Sequence, residues 1–192
     1  MILRRIAVLG LACLLASCGG EGGDNAADKA AGNEAGNEAT QAGSTIGDAL
    51  GSSADHSAFV QSLQSAGLIE TLRGTGPYTV FAPTNAAFDA IPEDARRGLA
   101  APEQRDRLIE LLSYHIVSGT VTAEDLGRAI DRGQGGRAEL ATVTGDNLSL
   151  MREGDAIIIT DPAGGRARIS RADQVQANGV VHSIDAVLMP GE

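Results

Sequence analysis

Two segments about a hundred residues apart, 76–88 and 178–190, constrain the fold of this chain more than any other feature. Each reads as a strand with its own start and stop. The first opens on Gly76-Pro77, runs through Tyr78, Thr79, Val80 and Phe81, and breaks at Pro83, where Thr84 suits a helix cap. The second opens on Asn178-Gly179, a strong hairpin signal, and stops at Pro190. Side chains alternate along a strand, so Val180, His182, Ile184 and Leu188 share one face, and Val181, Ser183, Asp185 and Val187 the other. The aliphatic company places His182 inside. A buried imidazole needs a hydrogen-bond partner, and Thr84 or Asn85 of the first segment is the expected one.

Between and around these segments, helical patterns precede strand patterns. Ile46, Ala49 and Leu50, then Phe59, Leu63 and Ala66, recur at helical spacing, with Asp55 or Ser57 expected to cap the second run. Leu108, Ile109, Leu111 and Leu112 form the apolar stripe of a helix from Pro102 into Tyr114. Thr122-Ala123-Glu124-Asp125 resembles a capping box for a helix through Ile130. Strands follow at 140–143, 148–152, 156–160 and 166–169, separated by Gly-, Asn-, Asp- and Pro-bearing turns. Helices followed by strands indicate an α+β fold. Residues 44–192 are enough for one domain with one core, which must be mainly aliphatic because there is no tryptophan.

The two segments, with Ala66-Gly67-Leu68-Ile69-Glu70-Thr71-Leu72 ahead of them and Tyr114-His115 between them, resemble the signature boxes of the fasciclin (FAS1) domain over residues 44–190. The resemblance implies a wedge of two small β-sheets flanked by helices. It also implies an adhesion or interaction role with no catalysis, cofactor or metal. In animal fasciclin adhesion proteins a tyrosine–histidine motif and an aspartate–isoleucine pair are implicated in binding integrins. The resemblance carries partner binding onto Tyr114, His115 and Asp173, while Gln174 departs from the pattern at the isoleucine position. A structural reading stands beside it. Tyr114 would end an amphipathic helix with its hydroxyl in water, and Asp173 would sit in a turn. Thr84, Asn85, Asn178 and His182 are expected to be structural members of the two boxes.

The N-terminal residues carry a different message. Arg4-Arg5, an apolar run from Ile6 to Ala16 and Leu15-Ala16-Ser17-Cys18 describe a secretion signal over residues 1–17, too short to span a bilayer. A cysteine directly after Leu-Ala-Ser resembles a bacterial lipobox, which implies lipidation of Cys18 and a membrane partner through that anchor. Gly19 after the cysteine resembles lipoproteins sorted to the outer membrane. Residues 18–43 then form an acidic Gly/Ala/Asn/Glu linker with nothing to bury, expected to stay unfolded and span about 25–30 Å on average.

The remaining chemistry is thin. Loss of Arg4 and Arg5 takes the formal charge of -10 to about -12, and no basic stripe with interleaved aromatics remains for nucleic acid. His56, His115 and His182 lack metal-ligand spacing, and no Gly-x-Ser-x-Gly, Ser-x-x-Lys or His-Glu-x-x-His motif occurs. Gly133-Gln134-Gly135-Gly136 lacks the lysine and preceding strand of a phosphate loop. The expected function is a surface-anchored adhesion module binding protein or polysaccharide, with an exposed apolar or aromatic patch near Tyr114. The alternative is an inward-facing periplasmic ligand-binding or envelope-structural lipoprotein with a concave pocket.

Overall fold

The computed structural model describes residues 43–93, 96 and 102–191. The secretion signal, Cys18 and the linker as far as Ala42 lie outside the described residues. The chain divides into Met1–Asn37 and Glu38–Glu192, and every described residue belongs to the second unit.

Helices dominate the first part of the described chain, with two strands set among them. The helices are α1 (Ile46–Ser52), α2 (Ser57–Ala66), α3 (Ile69–Arg73), α4 (Asn85–Asp89), α5 (Arg105–Tyr114) and α6 (Ala123–Arg132). The strands are β1 (Tyr78–Pro83), β2 (Ile116–Ser118), β3 (Arg137–Ala141), β4 (Asn147–Glu153), β5 (Ala156–Thr160), β6 (Arg166–Gln176) and β7 (Gly179–Ile184). Thr45 and Thr122 each close a capping box with the aspartate three residues on, which starts α1 and α6. The expected cap of α2 is not the one found. His56 occupies the N-cap position without a side-chain capping bond, because residues 54–56 already form a 3-10 turn. The cap is instead supplied across the fold by Asn85, whose Oδ1 accepts from Ala58 N–H at 3.0 Å.

The fold is α+β, with sheet order β2-β1-β7-β6-β5-β4-β3. Only β1 and β7 run parallel, Phe81 opposite His182, so the two signature segments lie side by side as interior strands. The two small sheets of the expected wedge share β6. Its first residues, 166–168, pair with β5, and residues 169–176 pair with β7 across two register shifts around Arg171. The outer strands come back together, since Val143 N–H donates to Ile116 O at 3.0 Å.

The strands β1 and β7 divide two cores. Val80, Ala82 and Val181 face the helices and pack with Phe59, Leu63, Leu72 and Leu112. Phe81 and Ile184 face into the curl of the sheet with Tyr114, Leu148, Leu150, Ile159 and Leu188, and Leu126 and Ile130 of α6 close that side. Every residue of β7 is buried. The strand lies between β1 and β6 with both faces covered, which is why its sequence is largely apolar rather than alternating.

Candidate functional site

His182 is inside, as its strand neighbours require, but its partners are neither Thr84 nor Asn85. Its Nδ1 accepts from Asp173 N–H at 3.2 Å and its Nε2 donates to Val121 O at 2.9 Å, while the ring stacks on Phe81 with centroids 5.5 Å apart. The register explains the correction. Pro83 pairs with Ile184, so Thr84 and Asn85 fall beyond the end of β7, whereas the shifted stretch of β6 brings Asp173 alongside His182. Burial holds the imidazole below its ordinary range, opposed by the Val121 carbonyl and the Asp173 charge. Thr84 caps α4, its hydroxyl accepting from Ala87 N–H at 3.4 Å, and Asn85 caps α2. Asn178 ties three elements together. Its Oδ1 accepts from Ile46 N–H, and its Nδ2 donates to Leu72 O and Gly74 O, each at 2.8 Å.

Tyr114 and His115 are both fully buried, at 0% exposure, so neither side chain is placed to touch a partner. The helix that carries them ends between the two cores rather than at the surface. Tyr114 fills the second core, and its hydroxyl turns to Asn147 O at 3.4 Å instead of water. Burial, with the charges of Asp161 and Asp146, pushes that hydroxyl above its ordinary range. His115 Nδ1 donates to Leu111 O at 2.8 Å and its Nε2 accepts from Leu188 N–H at 3.1 Å, which fixes a neutral tautomer. Its burial pushes the imidazole down to about 4. Among the described residues no apolar or aromatic patch stands near Tyr114 as expected. Among the described residues the exposed large hydrophobics are Val143 and Val175, at 43% and 54%.

Asp173 is the exposed one of the three residues expected to bind a partner. It sits within the second register shift of β6, between Arg171 and Gln174, with φ 56, a left-handed backbone rare outside glycine. Its Oδ1 accepts from Ala123 N–H at 2.7 Å, at the positive end of α6. The loop entering that helix is fastened at each step. Gly119 N–H donates to Pro77 O at 2.9 Å, the Thr79 hydroxyl donates to Gly119 O at 2.7 Å, and Val121 N–H returns to the same hydroxyl at 2.9 Å. Val121 O meets His182, so the two strands, the bulge and the loop form one connected network. Exposed Ser118, Thr120 and Asp173 stand on this corner.

Sequence reasoning missed the loop, Thr79 and Asp161. A signal for the loop existed, since Gly119 and the Thr122 capping box bracket it. Thr79 carried none, because an alternating hydroxyl in a strand reads as solvent-facing until its neighbours are known. Among the described residues no three His, Cys, Asp or Glu side chains gather as metal ligands, and no helix is long and apolar enough to cross a membrane. A shallow open depression is lined by Gln134, Arg137, Ala138, Glu139 and Ser149, away from this corner.

Known proteins share both sequence and fold with the chain. Protein sll1483 of Synechocystis sp. is 36% identical over 134 residues, covering 70% of this chain and 67% of that protein. The transforming growth factor-beta-induced protein ig-h3 of Sus scrofa is 34% identical over 134 residues, and human periostin 31% over 138. This chain spans only 17% and 15% of their lengths. A FAS1 domain pair from the insect cell adhesion molecule Fasciclin I matches with TM-score 0.58 at 21% identity, covering 76% of this chain and 51% of that one, a likeness of fold. The Fasciclin domain profile matches residues 54–190, and the chain therefore belongs to the fasciclin family.

Proposed function

We propose that the chain is a lipid-anchored adhesion module of a bacterial envelope, binding protein or polysaccharide through the corner formed by residues 118–123 and the β6 bulge at Asp173. The observation that carries this reading is the fastening of the corner. Ser118, Thr120 and Asp173 are exposed, yet their backbone is held to β1, β6 and β7 by Thr79, His182 and the Asp173 carboxylate. A surface ordered before contact loses less conformational entropy on binding than a mobile loop. Family membership supports an interaction module rather than an enzyme, and one relative in fold is a cell adhesion molecule. The anchor rests on Leu15-Ala16-Ser17-Cys18, with residues 19–43 as tether and the outer membrane as the expected location.

The test uses the full-length chain with purified peptidoglycan, envelope polysaccharide and extracellular-matrix proteins as separate probes. Thr120→Arg, which raises a bulky side chain on the corner, is expected to reduce capture by one of these at least tenfold while leaving the melting temperature within a degree or two. Equal capture by parent and variant would remove the corner from the binding surface. Mass spectrometry of membrane-extracted protein checks the anchor, and Cys18→Ser is expected to release the chain from the membrane. Protease added to intact cells separates the outward reading, in which the domain is cut, from the inward one, in which it stays whole.

A further inference from the structure

The stretch after β7, residues 185–191, belongs to no strand or helix, yet Leu188 is fully buried in the second core. Two consecutive backbone amides are held by side chains rather than by a ladder. Leu188 N–H donates to His115 Nε2 at 3.1 Å, and Met189 N–H donates to Asp161 Oδ2 at 2.8 Å. Both acceptors are buried. The other nitrogen of His115 donates to Leu111 O, and the other oxygen of Asp161 accepts from Gly165 N–H at 2.6 Å. Each group is thereby oriented by the body of the domain while its free lone pair faces the strap.

The electrostatic surroundings of the pair are known from each side. Asp161, in the turn between β5 and β6, is the charge that acts on His115, and the Phe59 ring from α2 lies 5.9 Å from the imidazole. Tyr114 feels both Asp161 and Asp146 but stays neutral. The imidazole holds Leu188 only while Nε2 keeps its lone pair, because a protonated ring is a donor at both nitrogens. A proton on that atom would face the Leu188 N–H head-on.

We propose that His115 and Asp161 form an acid-operated clasp on residues 185–191, shut while the imidazole is neutral and opened when it takes up a proton. Opening lifts Leu188 from its place against Phe81, Tyr114 and Ile184 and bares that apolar floor. The low proton affinity of the buried ring keeps the clasp shut near neutrality and puts its opening in moderately acidic solution.

Amide hydrogen exchange on the full-length chain tests it, with Leu188 and Met189 as reporters and Val180 and Val181 of β7 as internal references. From pH 7.5 to 5, linkage to a ring that titrates at its ordinary value when released predicts roughly 30-fold loss of protection at the reporters, whose protection stays below that of β7 throughout. A His115→Asn variant should show no such pH dependence at Leu188. A side-chain NMR titration of His115 in the parent provides a second reading that needs no variant. In the closed protein the ring must take up its proton near 4, well below the ordinary imidazole range, because only the opened strap frees it to bind one earlier. Reporters as well protected as β7 at every pH, or a ring that titrates in its ordinary range, would overturn the clasp.

Discussion

At Asp173 a single residue carries both a strained backbone and a helix-capping carboxylate, and the two properties separate by substitution. Left-handed φ costs a side chain with a Cβ about 1 kcal/mol or more, although aspartate and asparagine tolerate it better than others. Asp173→Ala keeps the strain and strands Ala123 N–H, so a loss of roughly 1–2 kcal/mol in chemical denaturation is expected. Asp173→Asn retains an acceptor and the tolerated backbone, and should stay within about 0.5 kcal/mol of the parent. Equal losses in the two variants would show that the carboxylate charge at the helix terminus, not the hydrogen bond, is what matters. His182 sits directly beneath, and its lone pair for Asp173 N–H holds the bulge in place.

The capping box of α6 is the clearest element-level feature. Thr122 accepts from Asp125 N–H at 3.2 Å, and Asp125 returns a carboxylate oxygen to Thr122 N–H at 3.1 Å. The Thr122 bonds, and next to them Arg128, hold the Asp125 carboxyl below its usual range. Thr122→Ala should cost about 1 kcal/mol of stability, read as a lower urea midpoint with unchanged slope. A parent-like midpoint would mean that Asp173 alone sustains the helix start. This box was legible in the residues, as were β5, the hairpin at Asn178-Gly179 and the Thr84 cap, because each depends on neighbours within four positions. What escaped depends on distant ones. The strand reading stopped at Ile169, since beyond it polar residues run through Arg171 and Asp173 to Gln176, and only pairing with β7 keeps that stretch extended. Strand β2 is three residues long and continuous with the apolar end of a helix, so no period marks it. The Tyr114-His115 pair was readable as a motif, but its burial follows from where α5 ends between two cores.

For the whole molecule, all three histidines are buried and all three are held below their ordinary range, chiefly by loss of water. For His115 the folded protein binds a proton only near 4, whereas the unfolded chain does so near 6.5. Between those values the unfolded state holds more protons, so its share of stability is complete above about pH 6.5 and drains away as pH falls towards 4. The limiting slope is about 1.4 kcal/mol per pH unit for each such group. Denaturation midpoints measured from pH 7.5 to 4.5 should therefore fall steadily, and a flat profile would contradict neutral burial. His56 adds to the same trend, with its Nδ1 on the Ser53 hydroxyl at 2.9 Å and its Nε2 buried without a partner among the described residues. The meeting of β2 with the chain just past β3, at Ile116 and Val143, has a consequence of another kind. Sheets usually fail socially at their rims, where unpaired amides recruit a neighbour's strand. A sheet that curls until its first and last members touch leaves little rim to share, so copies of this domain crowded together should stay separate molecules.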